Sequence, residues 1–375
     1  MPTYYEQDPN LRAHKEYDNS LEWNEAGWTG LGVNVWDMEN YEACHGKRTT
    51  LRIKHAAPEA NVITISHHGR YKDGDAIEEG VEGYGTSEDF IEAENINICT
   101  VSIGGYNGAG SAKFYKRLKD KYNLVMFNSA GNEGEDGTSG SDSKNFMWVG
   151  ACILNKGKPQ MAGYSSVGKK FEDVDFTTFA GPGFSGTSFS TPYLAGLAAL
   201  LLQRYGNMSH WEVYQYFKMI ASPIKTSSYW DEEKQYDYKA GWGIPILPPV
   251  EKKLLRLTID DNNFQVDGKD KITDVAPFIK DSRTFVPIAF IAEELGAKVT
   301  WNNDAREVTI SKNGKILSMF IDKKEYVING KPFIMDTAPF ITNRRTCVPL
   351  AFVALALDCK VAWVPEDRKV LVLEQ

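Results

Sequence analysis

The stretch Gly183 to Gly196, GFSGTSFSTPYLAG, sets five hydroxyl side chains directly ahead of an apolar run that begins at Tyr193. From Tyr193 to Leu202 almost every residue is apolar, and a helix apolar on all sides belongs in an interior. Pro192 is expected in the first turn of that helix, where a missing N–H costs nothing. Ser188 then stands at the mouth of a buried helix, where free N–H groups and the positive dipole end favour a developing oxyanion. Of the five hydroxyls it is the one placed to be a nucleophile.

A serine is inert at neutral pH unless a base takes its proton, and the base needs a third group to hold its tautomer. The chain has six histidines, none after His210. His45 heads a helical pattern and follows Asp37, which closes the apolar stretch Val33 to Trp36; His55, His67 and His68 compete for the role of base. Asn132, in SAGNEG, offers a side-chain amide to an oxyanion. Each has a plainer reading: Ser188 as a helix cap, Asp37 as a turn cap, Asn132 as a turn residue.

The elements that must bring these residues together alternate between strands and helices over the first 250 or so positions, which predicts an α/β domain with a mainly parallel sheet. Val33–Trp36, Asn97–Val101 and Leu124–Phe127 read as strands ending on Asp37, on Ser102-Ile103-Gly104 and on Ser129-Ala130-Gly131-Asn132. In open α/β sheets ligands bind beyond the carboxyl ends of the strands, so these polar endings are expected on one rim.

VNVWD, HG with APEA downstream, VSIGG, SAGNEG, YSSVG, GTSFSTP followed by AGLAALLL, and AGWGIP occur in the order shown by subtilisin-like serine proteases, which the chain resembles from Gly32 to Pro245. The resemblance implies a three-layer fold for residues 1–248 and an acyl-enzyme mechanism for a serine endopeptidase. In it Asp37 orients, His45 is base then acid, Ser188 is nucleophile, and Asn132 with the Ser188 N–H forms the oxyanion hole. It further implies that Ser102, Ile103, Gly104, Ala130 and Gly131 wall the primary specificity pocket. Two features depart from the family. His45 lies only eight positions after Asp37, and the loop that holds a tight calcium ion in relatives is missing. No calcium is expected at that position, no metal site or cofactor is called for, and calcium elsewhere stays open. The contrasting readings are an inactive scaffold whose C-terminal part carries function, and an esterase using the same rim.

Between Asp73 and Glu94 lie nine acidic residues and no basic one. Through the resemblance, Asp75, Glu78, Glu79 and Glu82 would flank the cleft and favour basic substrate residues, since a cluster of one sign concentrates the other; a solvated loop and helix face is the alternative.

The Pro-rich stretch near Leu247 to Lys252 reads as a linker. Beyond it, at 252–375, VDGKDKITDVAPFIKDSRTFVPIAFIAEELGAKVTW recurs as INGKPFIMDTAPFITNRRTCVPLAFVALALDCKVAW, offset by 62. That predicts two copies of a small α+β unit with short helices near Pro287–Leu295 and Pro349–Leu357. The repeat resembles the stalk domain named for the N-terminus of copper amine oxidases, which implies spacing, anchoring or assembly with a cell-envelope partner. Cys347 and Cys359 make a poor copper site without a histidine.

A net charge of -8 provides no field for nucleic acid, so partners are expected to be protein or peptide substrates. Five scattered cysteines suggest buried thiols rather than disulfides. No window is apolar enough to span a membrane and no signal segment is read, which leaves envelope, cytoplasmic and phage-associated settings open.

Overall fold

The computed structural model describes residues 20–38, 44–64, 67–72, 75–81, 86–102, 109–134, 144–170, 172–181 and 183–375. The chain divides into two compact units between Val250 and Glu251.

The first unit begins with α1 (Ser20–Glu25), whose buried Trp23 donates its indole N–H to the Pro248 carbonyl at 2.9 Å. Then follow β1 (Asn34–Asp37), α2 (Cys44–Ala56), β2 (Asn61–Thr64), the hairpin β3 (His67–Lys72) with β4 (Asp75–Val81), and α3 (Ser87–Glu94). After these come β5 (Ile98–Val101), α4 (Ala109–Tyr122), β6 (Val125–Ser129), β7 (Met147–Asn155), β8 (Lys158–Met161), β9 (Phe176–Phe179), α5 (Thr187–Tyr205) and α6 (His210–Ile220).

Seven strands form one sheet in the order β2-β1-β5-β6-β7-β8, with β9 also on β7; every pairing is parallel except β7 with β8. Strand order runs outward in both directions from the β1–β5 boundary. That boundary is a topological switch point, where the connections leave a crevice at the carboxyl ends. Asp37, the last residue of β1, pairs with Thr100 of β5 and Thr64 of β2.

Alternation along the strands sends Trp36, Cys99, Val101, Met126 and Trp148 into one cluster with Phe90 and Ile91 of α3 and Phe114, Tyr115 and Leu118 of α4. Phe127, of opposite parity, meets Phe217 of α6. In α5 every residue from Thr187 to Leu202 is buried. Small residues let α2 reach it: a Cβ on Gly196 would stand 2.7 Å from both the Ala56 Cβ and the Ile53 carbonyl oxygen. The helix that carries His45 and the helix that carries Ser188 therefore cross at backbone contact distance.

The second unit is rich in β structure. Its elements are β10 (Leu254–Thr258), β11 (Asn263–Val266), β12 (Lys269–Ile272), β13 (Phe278–Lys280), β14 (Arg283–Pro287), α7 (Ile288–Glu294), β15 (Lys298–Asn302), β16 (Glu307–Lys312), β17 (Lys315–Phe320), β18 (Glu325–Ile328), β19 (Lys331–Ile334), β20 (Phe340–Thr342), β21 (Arg345–Pro349), α8 (Leu350–Ala356), β22 (Cys359–Val364) and β23 (Lys369–Glu374). Three antiparallel sheets run β12-β11-β10-β23-β22, β13-β14-β21-β20 and β15-β16-β17-β18-β19. Leu255, Val286, Ile291, Ile310, Leu317, Val348, Val353 and Val372 are among the buried residues of one core that joins all three sheets and both helices.

Candidate active site

Asp37 is fully buried at the end of β1. The Thr49 hydroxyl lies 2.7 Å from its Oδ2, and the Thr50 hydroxyl 3.4 Å away. Both threonines belong to α2, the helix that carries His45 as its second residue, so Asp37 is fastened to the element of the proposed base. Its negative charge and, more strongly, complete burial push the Cys99 thiol well above the ordinary range, so Cys99 stays a neutral core residue.

The half-buried His45 lies with its ring 5.2 Å from that of Phe189, the residue after Ser188. Phe184 packs on the other ring of that pair, 5.0 Å from Phe189. Of the competing histidines, His55 lies in the last turn of α2, 6.0 Å from the Tyr193 ring, and burial lowers it to about 4. It is neutral at physiological pH and belongs to the helix–helix seam. For His67 and His68 only the backbone, in β3, is described.

Ser188 is the second residue of α5 and retains 9% exposure. Its hydroxyl donates to the Ser102 carbonyl at 3.1 Å, while the Ser102 hydroxyl donates to the Ser188 carbonyl at 3.0 Å. The second bond corrects the expectation for Pro192. The helix starts at Thr187, before the apolar run, so Pro192 falls in the second turn rather than the first. There its missing N–H deprives the Ser188 carbonyl, four residues back, of an intrahelical donor. The Ser102 hydroxyl, delivered by the end of β5, satisfies it.

The rest of that turn is fixed in the same way. The Thr187 N–H donates to Asn132 Oδ1 at 2.8 Å, and the Thr187 hydroxyl lies 3.2 Å from the same oxygen and from the Gly131 nitrogen. The Thr178 hydroxyl donates to the Ser190 carbonyl at 2.8 Å. Gly186, just before the helix, has a φ of +127°, strained for any side chain, and a Cβ there would lie 3.7 Å from Asn132 Nδ2. Oδ1 of Asn132 is thus committed to Thr187.

Ser102 is bonded to Ser188, and Gly131 and Asn132 are bonded to its neighbour Thr187; Ala130 bonds through its N–H to Val149. The His45 ring touches that of Phe189, one residue beyond Ser188, and Asp37 bonds to α2 through Thr49. Ile103, Gly104 and Glu82 lie outside the described residues. Asp75, Glu78 and Glu79 fall in β4, a strand paired with β3, rather than in the loop and helix face offered as the alternative to a cleft subsite, and only their backbone is described. Thr49, Thr187 and Arg52 were not singled out in the sequence. The signal for Thr49 was its position four residues after His45, on the same helical face.

Among the described residues no cluster of three or more His, Cys, Asp or Glu is arranged to hold a metal ion, and no helix is long and apolar enough to cross a membrane.

A buried serine hydroxyl in the first turn of a buried helix, next to a residue bonded to a side-chain amide, is a group that acyl transfer can use. The Subtilase family model matches residues 37–243, and the chain belongs to that family of serine proteases. The Copper amine oxidase N-terminal domain model matches residues 265–372. Subtilisin DY of Bacillus licheniformis is 28% identical over 182 residues, covering 45% of this chain and 62% of its own length. Subtilisin NAT of Bacillus subtilis subsp. natto is 27% identical over 149 residues, covering 37% of this chain and only 39% of its own. The chain therefore spans less than two thirds of either relative. Among solved structures, MycP1 from Mycobacterium smegmatis gives a TM-score of 0.45 at 14% identity, covering 65% of this chain and 85% of that one.

Proposed function

We propose that the chain is a serine endopeptidase acting through an acyl-enzyme on Ser188. In this reading the Ser188 hydroxyl turns about χ1 from the Ser102 carbonyl toward His45, which takes its proton as Oγ attacks the substrate carbonyl. Asp37 holds the imidazole tautomer and steadies the imidazolium. The Asn132 amide and the Ser188 N–H receive the oxyanion, and His45 then returns the proton to the leaving amine. Water repeats the cycle on the ester. Ser102, Ile103, Gly104, Ala130 and Gly131 are assigned to the walls that seat the residue before the scissile bond, and the acidic run from Asp75 to Glu82 to a preference for basic residues.

The observation that carries the reading is the reciprocal Ser188–Ser102 pair beside the anchored Asn132. A fluorophosphonate probe should label the wild type and not Ser188→Ala; an unlabelled wild type would leave the scaffold reading in its place.

We also infer three layers in the first unit, supported by helices α3 and α4 on one strand parity and α6 on the other. Two copies of one module are inferred in the second. Support comes from the elements β13 to α7 and β20 to α8, which start 62 residues apart, 278 against 340 and 288 against 350. Reciprocal ion pairs, Arg283 with Asp336 and Arg345 with Asp274, agree with that inference.

A further inference from the structure

We propose that Arg52 is a positioning residue for this hydrolysis, clamping the helix of the base to the first turn of the helix of the nucleophile. The inference rests on the peptidase reading and extends it to a residue two turns along α2 from His45. Arg52 is only 5% exposed. Its Nη2 donates to the Phe179 carbonyl at 2.9 Å and its Nε to the Phe189 carbonyl at 3.4 Å. The guanidinium carbon lies 4.7 Å from the centre of the Tyr193 ring. One side chain of α2 therefore grips the last residue of β9, the residue next to Ser188, and the next turn of α5.

Burying a cation is costly unless hydrogen bonds compensate it, and here two backbone carbonyls and an aromatic face do so. The surroundings are shaped for it. Gly181, on the loop from β9 to α5, has a φ of +99°, and a Cβ there would stand 2.9 Å from the guanidinium carbon and from Nη1. A planar fork can donate in its plane to two carbonyls while its face lies on an aromatic ring; a lysine ammonium can do only part of this. Both the serine turn and the loop that leads into it are therefore referenced to α2, and α2 also holds Asp37 through Thr49. A displacement of about 1 Å between reacting groups costs about 10²-fold in rate, which makes such a clamp consequential.

The test compares wild type, Arg52→Lys and Arg52→Met at matched active-site concentration. End-point fluorophosphonate labelling gives the number of competent sites, the labelling rate constant reports acylation per site, and a peptide substrate gives kcat and KM. Arg52→Met is expected to lower the labelling rate constant and kcat per site by about 10- to 100-fold with KM within twofold, because the pocket walls are not touched. Arg52→Lys should recover part of the loss. A role confined to stability lowers the number of sites and leaves the rate per site unchanged, and that result overturns the inference. If Arg52→Met does not fold, Arg52→Lys decides: a wild-type rate constant overturns the proposal, and a several-fold lower one supports it. An unlabelled wild type instead sinks the peptidase reading, and a role for Arg52 in hydrolysis with it.

Discussion

The two units show opposite ways of spending β structure. In the first, six of the seven strands of the main sheet lie in parallel pairings, so their carboxyl ends share one rim, and residues as distant as Ser102 and Asn132 meet the first turn of the helix that carries Ser188. In the second, all three sheets are antiparallel and hairpin-built, so neighbouring strands end on opposite edges and most partners are close in sequence. A parallel sheet needs long crossovers but gathers polar ends from many positions; an antiparallel one is cheaper to close and gathers few. The rim carries buried polar groups bonded to one another, whereas several of the second unit's ion pairs, such as Arg283–Asp336, are exposed.

Substitutions that remove chemistry from the rim test this contrast most severely. Ser188→Ala should lower kcat by about 10⁶-fold, measured on a peptide substrate, with the fold retained by circular dichroism. Asn132→Ala should lower kcat by about 10²–10³-fold with little change in KM; equal loss in both parameters would argue that its main task is holding Thr187 rather than an oxyanion. The third effect is one of stability. Asp175, fully buried and accepting the Trp148 N–H at 2.8 Å, is raised from 3.8 to about 7, chiefly by burial. A raised folded-state value means that its contribution is fully present below about pH 4 and is lost as pH rises through 7. Asp175→Asn should therefore melt higher than wild type by several degrees at pH 8, with the gap closing toward pH 4 in paired thermal scans. Smallest of all, Arg283→Ala should shift the melting temperature by about a degree or less, since exposed pairs contribute little. A large effect there would blur the distinction between the units.

How much of this could be read from the residues depended on whether a partner was local. Val33–Trp36 and the run after Tyr193 announced themselves, because an apolar stretch beside a polar ending is a signal contained in the segment. The helices after Pro287 and Pro349 were visible for the same reason, each starting directly after a proline. The true start of α5 was not. Residues 187–191 are hydroxyl-rich and look like a turn, and they are helical because Asn132, Ser102 and Thr178, all distant in sequence, supply the bonds they need. The β3–β4 hairpin was missed because HHGRYK lacks the alternation that marks a half-buried strand. Arg52 was passed over because a lone arginine in a helix gives no sign that it is buried.

Complete burial of α5 from Thr187 to Leu202 has a practical corollary for how the molecule ages under heat. A reactive group mounted on a surface loop can lose its alignment by local fraying while the body survives, and assays then fade well before the protein melts. Here Ser188 is carried on a helix buried from Thr187 to Leu202, so inactivation and loss of tertiary signal should coincide on one curve, and the amides of Ala198 to Leu202 should be among the last to exchange with deuterium.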